Sequence, residues 1–535
     1  MNIGLRYLCS RSSISRLGYS MPPTATSSPD LGPYAGWTRD KLVERLMQLE
    51  GTSADPVIPP PKVQEKAFDF SKHSRRKIAL KFCYSGWEYG GLAFQNGPTP
   101  LPTVENVLFD VLAKTRLVDP KAGFEGCGWE KCGRTDRGVS AAGQVVSLWV
   151  RSALPAEEEN PPPTGNKVEE QPEQVGLVDL EDEFGSIAMS EEPSSNTSIR
   201  KASKNTREHD YLAMINRLLP ATIRIIAWSP VPSSFSARFS CKYRHYKYFF
   251  SSLHLDVPAM QAAAARMLGE HDFRNLCKLD AQKQITSFRR KILRASIEPL
   301  DGQDENYGGN GHMHVFNLMG TAFLYHQVRH IMAVLFLVGS GLEPPSVVTE
   351  LMNVEEGIEP LRPEDAARGK YAVVDRKPEY QMADALPLML WECGYDESEL
   401  DWRTSSGTGG EVVRGDLYHQ LQNIHTRSRV FATLDRYFMK AAEKHHPLPP
   451  LLLPLKNGLQ DLDKLKGRPE RERYMNIPLG GGTFKRNLKY VSLLERKRLD
   501  TVEIMNERWR LGKGLRKEDR RKTEQGDELD DDGNE

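Results

Sequence analysis

The stretch from Ala153 to Thr206 constrains this chain more than any other. Between Ala156 and Glu192 it carries twelve acidic residues against one base, Lys167, amid repeated Pro, Ser and Asn. Such a segment cannot bury enough apolar surface to offset the entropy of ordering its backbone. It is predicted to be a solvated insertion, and any packed body must come from the chain on either side of it.

Those flanks carry periodic elements. Before the insertion, Lys77 to Tyr84 alternates as a strand. A Gly-rich loop (Gly86 to Gly97), a helix from about Thr103 to Thr115 and the strand Gln144 to Val150 follow. After it come the helix Asp210 to Pro220, stopped by proline, and the strands Ile223 to Trp228 and Arg244 to Phe250. A helix at Val257 to Leu268, strands at Lys291 to Ile297 and Met313 to Met319, and a helix at His326 to Gly339 complete the pattern. The two halves repeat an order of strands and helices. This predicts an α+β body, a central and mostly antiparallel sheet with helices on one side and a cleft between pseudo-related halves. The boundaries are a disordered or targeting N-terminus (1–36), a short helix and Pro-rich linker (37–75), the body (76–395, insertion 153–206), and a polar, partly helical extension with an acidic tail (396–535). Within that extension Ser428 to Ala442 and Lys489 to Trp509 read as helical.

Overall charge is balanced, 72 Lys and Arg against 72 Asp and Glu. The insertion masks a basic remainder. Lys201 to Phe250 holds nine Lys or Arg against Glu208 and Asp210, and Lys283 to Arg294 holds five bases and no acid. A polyanion such as a phosphate backbone is the partner this distribution suits. Seven cysteines without a CxxC pair suit a reducing compartment and argue against a disulfide scaffold. The longest apolar run, Ile331 to Ser340, is too short to span a bilayer and reads as a buried helix. The first 29 residues lack acids and carry Arg6, Arg11 and Arg16 among serines, a composition that fits either a mitochondrial presequence or a solvated terminus.

Three blocks could carry chemistry. Gly133-Arg134-Thr135-Asp136-Arg137-Gly138-Val139-Ser140-Ala141 sets one carboxylate between two guanidiniums in a glycine-bounded turn. That carboxylate could be a nucleophile, a ligand or half of a surface ion pair. Ser236-Ala237-Arg238-Phe239-Ser240, then Arg244-His245-Tyr246-Lys247-Tyr248, places aromatics on a basic strand, for core packing or for stacking on a base. Gly320 to His330 puts Arg329 in a first helical turn, where the helix dipole disfavours a cation unless a carboxylate faces it. His326 and His330 have the spacing of a zinc pair but lack the intervening glutamate and a third ligand, so no metal is expected.

Together the three blocks resemble those of TruA-type tRNA pseudouridine synthases: GRTDxGVHA (with Ser140 in place of His), ARFSA…RRYRY and AFxxHMVRN. The resemblance runs from about Arg76 to Tyr395. It implies that Asp136 is the catalytic nucleophile, that Tyr246 lies against the reacting uracil and assists proton transfer, and that Arg329 pairs with the carboxylate. Arg134, Arg137, Arg238, Arg244 and His326 are then substrate-binding. Phe82 to Trp87, His271 to Asp280 and Lys377 to Cys393 are similar to the eukaryotic branch acting on tRNA positions 38 and 39. The implied partner is tRNA. The resemblance further implies a homodimer, no cofactor, no membrane, and a place in nucleus and cytoplasm, with mitochondria open through the N-terminus. A catalytically silent tRNA-binding protein on the same fold is the alternative. A carboxylate hydrolase would want a second acid, for which Asp110 and Glu130 are the nearest residues.

Overall fold

The computed structural model describes residues 68–155 (apart from 96 and 98), 207–300, 312–404, 416–446 and, with short gaps, 453–516. It also describes a fragment of 37–45. The central insertion from 156, the presequence-like N-terminus and the acidic tail lie outside these. The chain divides into two compact units, Met1–Ala67 and Phe68–Glu535. In the first, Asp40, Lys41, Glu44 and Arg45 are helical, within the stretch the sequence predicts as a helix. All that follows concerns the second.

Its centre is a nine-stranded sheet. β1 (Arg75–Tyr84), β2 (Glu130–Lys131) and β3 (Ser140–Arg151) precede the insertion. After it come β4 (Ile223–Pro230), β5 (Tyr243–Ser251), β6 (Gly269–Asp272), β7 (Arg289–Pro299), β8 (Met313–Gly320) and β9 (Leu388–Gly394). The order is β4-β1-β3-β9-β5-β8-β7-β6, with β2 on β3. Every pairing is antiparallel except β3 with β9, where Ser140 and Ala141 meet Met389 and Leu390. This is the predicted α+β, mostly antiparallel arrangement. The sequence reading did not assign β9 as a strand, although β9 joins the strands before the insertion to those after it.

Two apolar clusters flank that junction. One gathers Ile78, Leu80, Phe82, Val146, Leu148 and Trp228 around helix α1 (Val104–Lys114), which Thr103 caps by accepting from the Asn106 amide. Helix α2 (Tyr211–Asn216) joins it through Tyr211, packed edge-on against Trp228. The other gathers Tyr248, Phe250, Phe316 and Leu318 around helix α3 (Val257–Ala265) and helix α4 (Gln327–Gly339). In α4 every residue but Arg329 is buried, as expected of a run without charges on its far side. Leu388 of β9 belongs to the second cluster, Leu390 to the first, and the Tyr246 ring packs against both.

The chain after 395 departs from the expected polar tail. Leu453, Leu455, Met475, Ile477, Tyr490 and Leu493 are buried in the second cluster. Met475, Ile477 and Leu479 alternate with more exposed neighbours because they lie on β10 (Met475–Gly480), which forms a hairpin with β11 (Thr483–Asn487). Buried Glu343 accepts from the Tyr490 hydroxyl and the Leu493 amide, both at 2.6 Å. Of the stretch Lys489 to Trp509, read as one helix, only Val502–Trp509 is α-helical. The other predicted helix is longer than expected, Asp416–Glu443, and is tied to β4 through Arg224 Nε donating to Gln420 Oε1 (2.8 Å).

Candidate active site

The Asp136 loop is shaped from below. Buried Thr135 hydrogen-bonds Tyr84 of β1, and its carbonyl accepts from the Leu92 amide at 3.2 Å. Gly91, at φ +110°, lets the neighbouring loop pass close, since a Cβ there would lie 3.2 Å from the Thr135 carbonyl. Of the two glycines read as closing the turn, Gly138 is left-handed (φ +86°). Gly133 is not, and its carbonyl instead accepts from buried Gln144 (2.9 Å). Asp136 is left standing on a firmly tied loop at the start of β3.

Its partners come from almost two hundred residues downstream. His326 Nε2 is 3.1 Å, and Arg329 Nη1 3.9 Å, from the same carboxylate oxygen, Oδ2. The carboxylate that the α4 N-terminus requires is therefore Asp136. Arg329 is held in place from behind: its Nε donates to the Ala383 carbonyl (2.9 Å), and the Ala383 amide donates back to the Arg329 carbonyl (3.1 Å). His326 caps α4 in a left-handed conformation, φ +57°, which is uncommon for a residue with a Cβ. The turn is locked by the Gln327 side chain, which accepts from the Leu324 amide at 2.8 Å.

These groups line a cavity of about 1010 Å³. Arg134, Arg137, Arg238, Arg244, Tyr246, Phe323 and Tyr325 line it too. The flanking arginines Arg134 and Arg137 thus face the same space as Asp136, while the ion pair is made by His326 and Arg329. Arg244 lines the cavity, and its Nη groups donate to the carbonyls of Thr321, Cys132 and Arg238 at 2.9–3.1 Å, tying three segments together. The Arg238 guanidinium sits 5.2 Å from the ring centre of Phe239, itself largely exposed. Tyr246 meets Phe323 edge-on at 5.0 Å, and burial above all, with Asp136 acting in the same direction, keeps its phenol protonated.

Sequence reasoning missed part of this lining. Lys283, Arg290 and Asp280 belong to it. The Lys283 ammonium stands 3.6 Å from the Tyr325 ring centre, and that ring lies 3.8 Å from the His326 imidazole. The charge count around Lys283 was the only available signal. Asp110 and Glu130 are not among the lining residues. His330 points away to Lys377, 3.3 Å from its ammonium. Burial, reinforced by that ammonium, lowers the His330 imidazole to about 2, and burial lowers Lys377 to about 8. Among the described residues no group of three His, Cys, Asp or Glu side chains could hold a metal ion. Nor, among them, is any helix long and apolar enough to cross a membrane.

Comparison with known proteins decides what this geometry belongs to. The chain is 32% identical over 498 residues to the tRNA pseudouridine(38/39) synthase of Saccharomyces cerevisiae, covering 89% of this chain and 91% of the yeast protein. It belongs to the tRNA pseudouridine synthase family. It is an isomerase of the TruA type. The family model described as tRNA pseudouridine synthase matches residues 263–396, which include His326 and Arg329 but neither Asp136 nor Tyr246. The bovine and human tRNA pseudouridine(38/39) synthases are 40% and 39% identical over 337 and 335 residues, matching 62% of this chain and 58% of each relative. A tRNA pseudouridine synthase A from the archaeon Methanothrix thermoacetophila is 28% identical over 341 residues.

Proposed function

We propose that this enzyme converts uridine to pseudouridine at positions 38 and 39 of the tRNA anticodon stem-loop, with Asp136 as nucleophile. The carrying observation is the convergence of Asp136, His326 and Arg329, from two distant parts of the chain, beside Tyr246 in one basic cavity. Positions 38 and 39 come from the names of the yeast, bovine and human relatives.

The target uridine must leave its stack to reach Asp136, at a cost of a few kcal/mol. Arg134, Arg137 and Arg238 supply backbone attraction at the rim, and Phe239 offers an exposed ring for a neighbouring base. Tyr246, kept neutral, packs on the uracil. With Oδ2 held by His326 and Arg329, Oδ1 is the oxygen that attacks. Oδ1 bonds C1′ as the N1–C1′ bond breaks; the detached uracil turns, and C5 bonds C1′ as the Oδ1–C1′ bond breaks, which frees the carboxylate. The proton on C5 leaves and N1 gains one, so the reaction is balanced without any other reactant.

A homodimer fits the helix Asp416–Glu443. Leu417, Ile424, Phe431 and Phe438 recur every seven residues along it, and the last three are exposed. A second copy of the chain is the occupant that would cover this seam.

The test is tritium release from tRNA transcripts labelled at uridine C5 and carrying uridine at 38, at 39, at both or at neither. Release confined to the 38 and 39 transcripts supports the reading, and release elsewhere removes the positional part. Tight, salt-sensitive binding without release would favour the silent RNA-binding alternative.

A further inference from the structure

This inference deepens the reading proposed above and rests on it. A uridine drawn out of its stack brings its backbone phosphates with it, and cations near Asp136 are the groups to meet them. Most of the long basic side chains deep in the cavity are already committed. Arg329 is tied to Asp136 and to the Ala383 carbonyl, and Arg244 to the carbonyls of Thr321, Cys132 and Arg238. Arg290 Nη1 donates to the carbonyls of Ser287 and Arg289.

Lys283 is different. Its ammonium stands 3.6 Å from the centre of the Tyr325 ring, and the Lys278 ammonium stands 5.2 Å from the same ring. Among the described residues Asp280 is the only carboxylate within 4.0 Å of either, and it reaches Lys283 only at that limit. Asp280 is itself occupied, accepting from the Gln282 amide at 3.1 Å. Burial lowers the Lys283 ammonium, and Arg134 and Lys278 add to this, while Asp280 and Asp136 offset it only in part. Two ammoniums on one ring, with one distant carboxylate, leave an excess of positive charge in the cavity wall that an anion would balance. The excess lies close to the reacting carboxylate, because the same ring is 3.8 Å from the imidazole of His326, which holds Asp136.

Lys283 owes its place to the far end of the chain. It closes a short 3₁₀ turn, Ala281–Lys283, and Gln284 after it is left-handed at φ +47°. A glutamine keeps that conformation only where its surroundings hold it. The helix Val502–Trp509 supplies the hold. Gln284 Nε2 donates to the Asn506 carbonyl at 3.3 Å, and Asn506 Nδ2 donates to the Ile285 carbonyl at 3.4 Å. Val502, Met505 and Asn506 line one small cleft together with Leu279, Ile285 and Tyr325. This helix lies beyond the region of family resemblance, yet it braces a turn in the wall of the cavity.

We infer that Lys283 binds a backbone phosphate adjoining the target uridine, and that Asn506 of the C-terminal helix is the residue that positions it.

The test uses the full-length protein and anticodon stem-loop RNAs in which one linkage at a time, between positions 37 and 40, is a neutral methylphosphonate. Filter binding compares each with the natural RNA. In the wild type one linkage should cost about 10–100-fold in Kd, the range of a hydrogen bond between charged groups. In Lys283→Met the same linkage should cost less than about twofold, because the partner is already gone. Lys283→Arg should restore the wild-type cost. Asn506→Ala should lower the cost at that linkage, and at no other, by about two- to tenfold. Each cost compares two RNAs on one preparation, so a partly folded variant leaves it intact. Absence of any sensitive linkage in the wild type, or wild-type costs throughout in Lys283→Met, would overturn the phosphate assignment. Wild-type costs in Asn506→Ala would overturn the positioning by the helix. Tritium release from the natural RNA is measured alongside, and its absence with the wild-type enzyme would instead overturn the proposed function.

Discussion

The two apolar clusters either side of β9 are built differently. Among the described residues, the cluster around α1 draws its fully buried side chains from residues 78–237, with Leu390 and Cys393 added from β9. The cluster around α4 is assembled from residues 139–388 and is completed by Leu453, Leu455, Met475, Ile477, Tyr490 and Leu493. Asp136 stands on the first, His326 and Arg329 on the second. The comparison teaches that the ion pair at the active site joins a locally assembled region to one that needs the far end of the chain.

The most severe way to break that junction is at Asp136. Asp136→Asn keeps the shape and removes the proposed nucleophile, so tritium release should fall by about 10⁴-fold or more. The Kd for tRNA should stay within about threefold, because phosphate contacts come from other residues. Filter binding and single-turnover assays check both numbers, and wild-type-like turnover would remove Asp136 from the nucleophile role.

Next in size is the dependence of the second cluster on the chain's end. Leu493→Ala should cost about 2–5 kcal/mol, the range for a fully buried leucine, as should Leu108→Ala in the first cluster. The two should differ in where protection is lost. In hydrogen exchange, Leu493→Ala should expose α4 and β8 amides first and Leu108→Ala those of β1 and β3. Identical exchange maps would show one cooperative core and end the distinction.

A smaller effect is expected from Lys377, which sits behind α4 and donates to the Cys277 carbonyl. Its folded value of about 8 lies below that of an unfolded lysine, about 10.4. Below pH 8 both states are protonated and the burial penalty is complete. Between pH 8 and about 10.4 the unfolded chain holds a proton that the native state has lost, so stability should rise with pH, by on the order of 1–3 kcal/mol. Denaturant midpoints across that window, with Lys377→Met as the flat control, test this. A falling midpoint would mean the ammonium is well paired.

The mildest change is at the rim. Arg134→Ala should weaken tRNA binding without altering the rate at saturation, and lower the salt slope of log K by about 0.7–0.9. An unchanged slope would place Arg134 away from any phosphate.

How much of this was legible beforehand follows from how local each feature is. The strands and helices flanking the insertion could be read because period and punctuation are properties of neighbouring residues. Asp136, Tyr246 and Arg329 were legible because each stands in a short, distinctive block. β9 was harder: Leu388 and Leu390 serve different cores, and nothing in their own seven residues announces a strand paired in parallel on one side and antiparallel on the other. The role of the C-terminal segment was masked by composition, since a few alternating apolar residues at 475–479 are outnumbered by charged neighbours.

The sequence alone determined the fold class, the basic character of the body and the short block that carries the candidate carboxylate, Asp136. These depend on residue type and short-range order. Only the tertiary structure decided which partners meet Asp136, that His326 is nearer to it than Arg329, that Arg244 ties carbonyls, and that Lys283 and Tyr325 enter the cavity. Those facts rest on distances of a few ångströms between groups far apart in the chain. Such distances are set by the sheet order and the packing of two cores, which no local pattern encodes.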